Sequence, residues 1–107
     1  MAEQGSPVVT PSAGTPVVAI VDDDADLCAT VAALLAENGF HPLPLADSAG
    51  FFAAAARQTV DLALIDLRLR GESGLTLAIR IRETMGIPIV MLTGRGDETD
   101  KIIGLET

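Results

Sequence analysis

Residues 17–24 read Val17-Val18-Ala19-Ile20-Val21-Asp22-Asp23-Asp24, five apolar residues running straight into three carboxylates. An uninterrupted, mostly β-branched run suits a strand covered on both faces, and such strands belong to parallel sheets. The helix that follows opens at Asp24 or Asp26, either of which offers an N-cap oxygen. Leu27, Val31, Leu34 and Leu35 form one stripe of a 3.6-residue period. Cys28 falls between those stripe positions and reads as a small packing residue rather than a reactive thiol. Asn38-Gly39 supplies a left-handed stop.

The same unit repeats outward from there. His41–Leu45 is a short strand broken by Pro42 and Pro44, which places it at a sheet edge, where a missing N–H does no harm. Ser48 is expected to cap a helix over Ala49–Gln58 that turns Phe51, Phe52, Ala55 and Ala56 inward. A third strand, Leu62–Ile65, ends in Asp66. The loop Leu67–Ser73 leads to a helix that begins at Gly74 or Leu75 and ends by Gly86. The fourth strand, Ile87–Leu92, is followed by Thr93 and the loop Gly94-Arg95-Gly96, and Asp97 or Thr99 opens a last helix reaching Thr107.

Strands alternating with helices require parallel pairing through right-handed crossovers, hence an open α/β sheet with helices on both faces. Residues 1–16, with Pro7, Pro11 and Pro16 among Gly, Ser and Thr, read as a disordered tail ahead of a domain spanning 17–107.

Composition narrows the function. Fifteen acidic against seven basic residues in 107 give a net charge of −8, so direct nucleic-acid binding is not expected. A single cysteine excludes a disulfide framework and a multi-cysteine zinc site. The start lacks the basic and apolar regions of a signal peptide, and no apolar run approaches the ~18 residues of a membrane span. A cytoplasmic location without membrane contact is the expectation.

In open α/β sheets functional groups gather at the carboxyl ends of the strands. Asp22, Asp23 and Asp24 lie there after the first strand, Asp66 after the third and Thr93 after the fourth. A run of aspartates alone is as often a solvated loop with a helix cap. Asp66 shifts the balance, because it ends a wholly apolar strand where an unpaired carboxylate is costly. Crowded carboxylates call for a cation, and hard oxygen ligands suit Mg²⁺.

In combination, the segments IVDDD, LALIDLRLRGESG and PIVMLTGRG resemble the response-regulator receiver domain of two-component signalling, over Val17 to Glu106. The spacings are 44 residues from Asp22 to Asp66 and 27 from Asp66 to Thr93. The resemblance implies a flavodoxin-like sheet of strand order 2-1-3-4, with the fifth βα unit and its lysine missing. It further implies Asp66 as phosphoacceptor from a sensor histidine kinase and Thr93 as switch hydroxyl. Mg²⁺ would be held by Asp22, Asp23, Asp66 and the Arg68 backbone carbonyl. Transfer and hydrolysis would be self-catalysed, without enzymatic turnover of a metabolite.

Residues 100–106 are similar to the fourth helix of OmpR-PhoB-type winged-helix regulators, which implies a transcription-regulating output domain. Two departures from the family pattern stand near the site: Arg70 where proline is common, and Gly94 beside Thr93 where alanine is usual. Arg70 and the absent lysine suit a second reading, a non-phosphorylated pseudo-receiver used for protein interaction or dimerisation. A Mg²⁺-dependent phosphatase of similar fold wants a second aspartate where Arg68 stands. Without a fifth strand, Ile87–Leu92 is expected to be an open edge, so self-association through that strand or the fourth helix is expected.

Overall fold

The computed structural model describes residues 14–92 and the backbone of residues 102–105. Among the described residues ten elements follow one another: β1 (Val17–Val21), α1 (Ala25–Glu37), β2 (His41–Leu45), α2 (Ser48–Ala55), β3 (Leu62–Asp66), β4 (Arg68–Leu69), β5 (Glu72–Ser73), α3 (Gly74–Thr84), β6 (Ile89–Leu92) and β7 (Ile102–Leu105). The main sheet has the order β2-β1-β3-β6-β7. Its first four strands are parallel, and β6 is the fourth parallel strand that the sequence requires.

β1 is buried at all five positions, which is why its sequence does not alternate. Its start is pinned by Asp61, whose Oδ2 accepts from the Val17 N–H at 2.8 Å. β2, with its two prolines, occupies one edge of the sheet as expected.

The two faces are covered by different helices. Ala19, Val21, Ala63, Ile65, Ile89 and Met91 point to one side and pack with Phe51 of α2 and Leu77, Ala78 and Ile81 of α3. Phe51, Leu77 and Ile81 are fully buried, each contributing ~1.5–3 kcal/mol by transfer from water. α1 lies across β1 and β2 on the opposite side, where right-handed crossovers put it.

The stripe expected on α1 is rotated. Leu27 and Leu34 are exposed, at 42 % and 55 %, whereas Cys28 is buried and Val31, Ala32 and Leu35 are half-buried. Cys28 belongs to the packed face because its thiol sits over the end of β1, near the Asp22 carbonyl at 3.3 Å. α1 is capped by Asp24, whose Oδ1 accepts from Asp26 N and Leu27 N. It ends in a Schellman turn: Gly39, at φ +89°, allows the Phe40 N–H to reach the Leu35 carbonyl.

Several expected boundaries shift. The cap of α2 is Asp47, with its Oδ1 2.8 Å from Gly50 N, and the helix stops at Ala55 instead of Gln58. β6 starts at Ile89 instead of Ile87. The expected loop Leu67–Ser73 contains the antiparallel hairpin β4–β5, and Ser73 then caps α3.

The largest correction concerns the end of the chain. In place of a helix continuing to Thr107, residues 102–105 form β7, antiparallel to β6 with Leu92 opposite Ile102 and Ile89 opposite Leu105. The edge expected to be open is therefore paired along Ile89–Leu92, and no fourth helix occurs among the described residues for self-association. Physically, an edge strand offers a row of unpaired N–H and C=O groups, and a segment opening with two β-branched isoleucines satisfies them. The expected caps Asp97 and Thr99, the switch residue Thr93 and the tail up to residue 13 lie outside the described residues.

Candidate functional site

The parallel strands β1 and β3 are neighbours in register, Val21 opposite Ile65, so the residues that follow them emerge side by side. This is why two segments far apart in sequence deliver carboxylates to one place. Carboxylate oxygens of Asp22, Asp23 and Asp66 lie within 4.8 Å of one another.

Asp22 is the most enclosed of them, only 4 % exposed. Its N–H continues the β1–β2 ladder to the Leu45 carbonyl, and its Oδ1 accepts from Asp24 N at 2.9 Å. Burial holds its carboxyl above the usual carboxylate range; the Asp24 N–H opposes that shift, and the charges of Asp66, Asp23 and Asp24 add to it. The same environment raises the Cys28 thiol, chiefly through burial and next through the Asp22 charge.

Asp66 ends β3 and sits opposite Leu92. Its Oδ1 accepts from the Arg68 N–H at 3.4 Å. The backbone beyond it is fixed twice, by Leu67 N to the Leu92 carbonyl at 3.0 Å and by Gly74 N to the Leu67 carbonyl at 2.9 Å. A Cβ at position 74 would collide with the carbonyl of Asp66, so glycine is what lets α3 start directly beneath this residue.

Thus Asp22, Asp23 and Asp66, named from sequence, converge. Arg68 stands next to Asp66 in β4. The sequence did not reveal two contacts of the hairpin: Arg70 Nε reaches Asp23 Oδ2 at 3.7 Å, and Glu72 Oε2 accepts from Ser48 N at 3.2 Å. Both depend on how the hairpin folds back, and no local signal announces them. Beside Asp22 and Asp23 an open cleft of about 330 Å³ runs between α1 and β2, floored by Cys28, Ala29, Pro44 and Leu45.

Three carboxylates at the carboxyl edge of an open parallel sheet define an acidic-pocket domain of flavodoxin-like topology. The response regulator receiver domain model matches residues 18–107, and the chain belongs to that family. It is 38 % identical over 96 residues to the transcriptional regulatory protein AruR of Pseudomonas aeruginosa, covering 85 % of this chain and 39 % of that protein. It is 36 % identical over 89 residues to the sensory transduction protein RegX3 of Mycolicibacterium smegmatis, covering 83 % of this chain and 39 % of that one. The chain thus spans about two fifths of these curated relatives. Among solved structures, a response regulator receiver protein from Pseudomonas putida superposes with a TM-score of 0.72 at 27 % identity, over 79 % of this chain and 73 % of that one. Among the described residues no helix is long and apolar enough to cross a membrane.

Proposed function

We propose that this receiver domain takes a phosphoryl group onto Asp66 from the phosphohistidine of a sensor histidine kinase. The convergence of Asp22, Asp23 and Asp66 within 4.8 Å carries the proposal. An all-oxygen, carboxylate-rich donor set fits Mg²⁺, with the Arg68 carbonyl as a further ligand. Bound there, Mg²⁺ supplies the positive charge that offsets the carboxylates and the incoming phosphoryl oxygens.

The chain's own groups do the rest. An Asp66 Oδ attacks phosphorus; the P–N bond to the imidazole breaks as the P–O bond forms, and the leaving nitrogen keeps the electron pair. The loose transition state makes positioning the main requirement. β3 serves it by carrying Asp66 at its end, opposite Leu92 of β6 and one residue past the last β1 pair, Val21 with Ile65. Water attack at phosphorus later returns the free carboxylate, so the domain is a self-dephosphorylating acceptor and not a metabolic enzyme. The new charge recruits Thr93 as the switch hydroxyl. AruR being a transcriptional regulatory protein and RegX3 a sensory transduction protein, we assign the domain to cytoplasmic control of a transcription-regulating output, without nucleic-acid contact of its own.

Beryllofluoride with Mg²⁺ tests this by amide NMR. Shifts at residues 22–24, 66–68 and around Thr93 are expected, and Asp66→Asn is expected to abolish them. An unchanged wild-type spectrum would leave only the interaction-module reading.

A further inference from the structure

The acidic pocket already has a positive group at its mouth. Arg70 stands at the two-residue turn of the β4–β5 hairpin, whose register pairs Leu69 with Glu72 and Arg68 with Ser73. Gly71, at φ +77°, supplies the backbone conformation that closes this turn. The hairpin is held from three directions. Leu69 is buried at 6 % exposure, Glu72 accepts from the N–H of Ser48 at the start of α2, and Ser73 caps α3 through Leu75 N and Thr76 N. The backbone position of Arg70 is therefore set by the fold, and its side chain, 83 % exposed, extends from there to Asp23.

We infer that Arg70 is a resident counter-cation of the acidic pocket, which a divalent ion has to displace from Asp23 in order to bind. The inference rests on the reading that the pocket takes a divalent cation. Arg70 Nε is 3.7 Å from Asp23 Oδ2, and Asp23 is one of the three carboxylates that converge there. A single guanidinium contact on an exposed arm is weak, so it yields to an ion of twice the charge that engages several oxygens together. Displacement still has a cost, and that cost lowers the apparent metal affinity. Arg70 thereby sets the cation concentration at which the pocket fills, and once released its guanidinium stands free at the same mouth.

Mg²⁺ titrations of the full chain, read by calorimetry and by the Asp23 amide shift, test this without any phosphotransfer. Arg70→Ala is expected to bind Mg²⁺ about two- to fivefold more tightly, the range of an exposed ion pair. Arg70→Lys is expected to stay near wild type. Arg57→Ala, which removes the same charge beyond the far end of α2, is expected to leave affinity unchanged. Equal or weaker binding by Arg70→Ala, or equal tightening by Arg57→Ala, would overturn the inference while wild-type binding keeps the site reading intact. If neither wild type nor Arg70→Ala binds Mg²⁺, both readings fall together.

Discussion

Gly74 and Asp66 are in backbone contact: the α-carbon of Gly74 lies so close to the Asp66 carbonyl that a side-chain carbon has no room. The first turn of α3 therefore packs directly against the end of β3. Gly74→Ala is expected to destabilise the domain by about 3 kcal/mol, the upper end of overpacking, because backbone has to shift on both sides. Urea unfolding gives the number. The perturbation should also register in the Asp66 and Leu67 amide shifts, whereas Gly50→Ala, whose added Cβ meets mainly the Asp47 side chain, should leave them in place.

Asp22 makes stability depend on pH. Burial raises its carboxyl in the folded chain above the usual carboxylate range, so the native state holds this proton more firmly than the unfolded one. Stability contributed by Asp22 is full below the unfolded pKa and is lost as pH rises through the folded one. In EDTA, Asp22→Asn is accordingly expected to stabilise the domain near neutrality, with the gain vanishing in acid. Asparagine keeps an oxygen for the Asp24 N–H, so charge is what changes. Thermal melts across pH 3–7 provide the comparison; a pH-independent difference would assign the effect to packing.

The Cys28 thiol is raised by burial and by the Asp22 charge, which disfavours the thiolate. Alkylation by iodoacetamide at neutral pH is expected to be slow in the folded chain, and to reach the rate of a free thiol in denaturant. Asp22→Asn should speed the native reaction by removing the nearest negative charge, provided the fold holds.

The parallel strands and the three carboxylates were legible because the strands are short apolar runs and two of them, β1 and β3, run straight into aspartate, a pattern carried entirely by neighbours in sequence. The packed face of α1 was not. The expected stripe (Leu27, Val31, Leu34, Leu35) and the observed one (Cys28, Val31, Ala32, Leu35) share two members, and their centres differ by about 65° of rotation at ~100° per residue. In a helix this rich in alanine and leucine, the contact with β1 decides, and only the fold supplies it. Arg70 was illegible for a related reason: its partner Asp23 lies 47 residues earlier, and the hairpin brings them together. For residues 102–105, a short apolar segment fits helix and strand alike, and the hydrogen-bonding demand of β6 decides between them.

Leu34 distinguishes the rotated α1 face from the expected one, with Phe51 of α2 as the buried comparison. Phe51 is fully buried among α2, α3 and the sheet, so Phe51→Ala is expected to cost about 3–5 kcal/mol. Leu34 is more than half exposed, and Leu34→Ala should stay within about 0.5 kcal/mol of wild type. Chemical denaturation reads both, and a large loss at Leu34 would restore the stripe read from sequence.

β7 is the element whose removal should change how the molecule behaves in solution. It pairs with β6 across four positions, and without it the backbone groups of Ile89–Leu92 on that side have no strand to bond. Two forces then oppose each other. The net charge of −8 repels a second copy. Against it stands a buried apolar strand with an open edge, a template for pairing at short range. Salt screens the repulsion over ~8–10 Å at 0.10–0.15 M and leaves the hydrogen bonds intact. Deleting residues 102–107 is therefore expected to give a species whose light-scattering mass rises with concentration, more steeply at high salt. The intact chain should hold one mass over the same range. A truncated chain that stays monomeric in 0.5 M salt would mean that water satisfies the β6 edge well enough, and that β7 contributes little to guarding it.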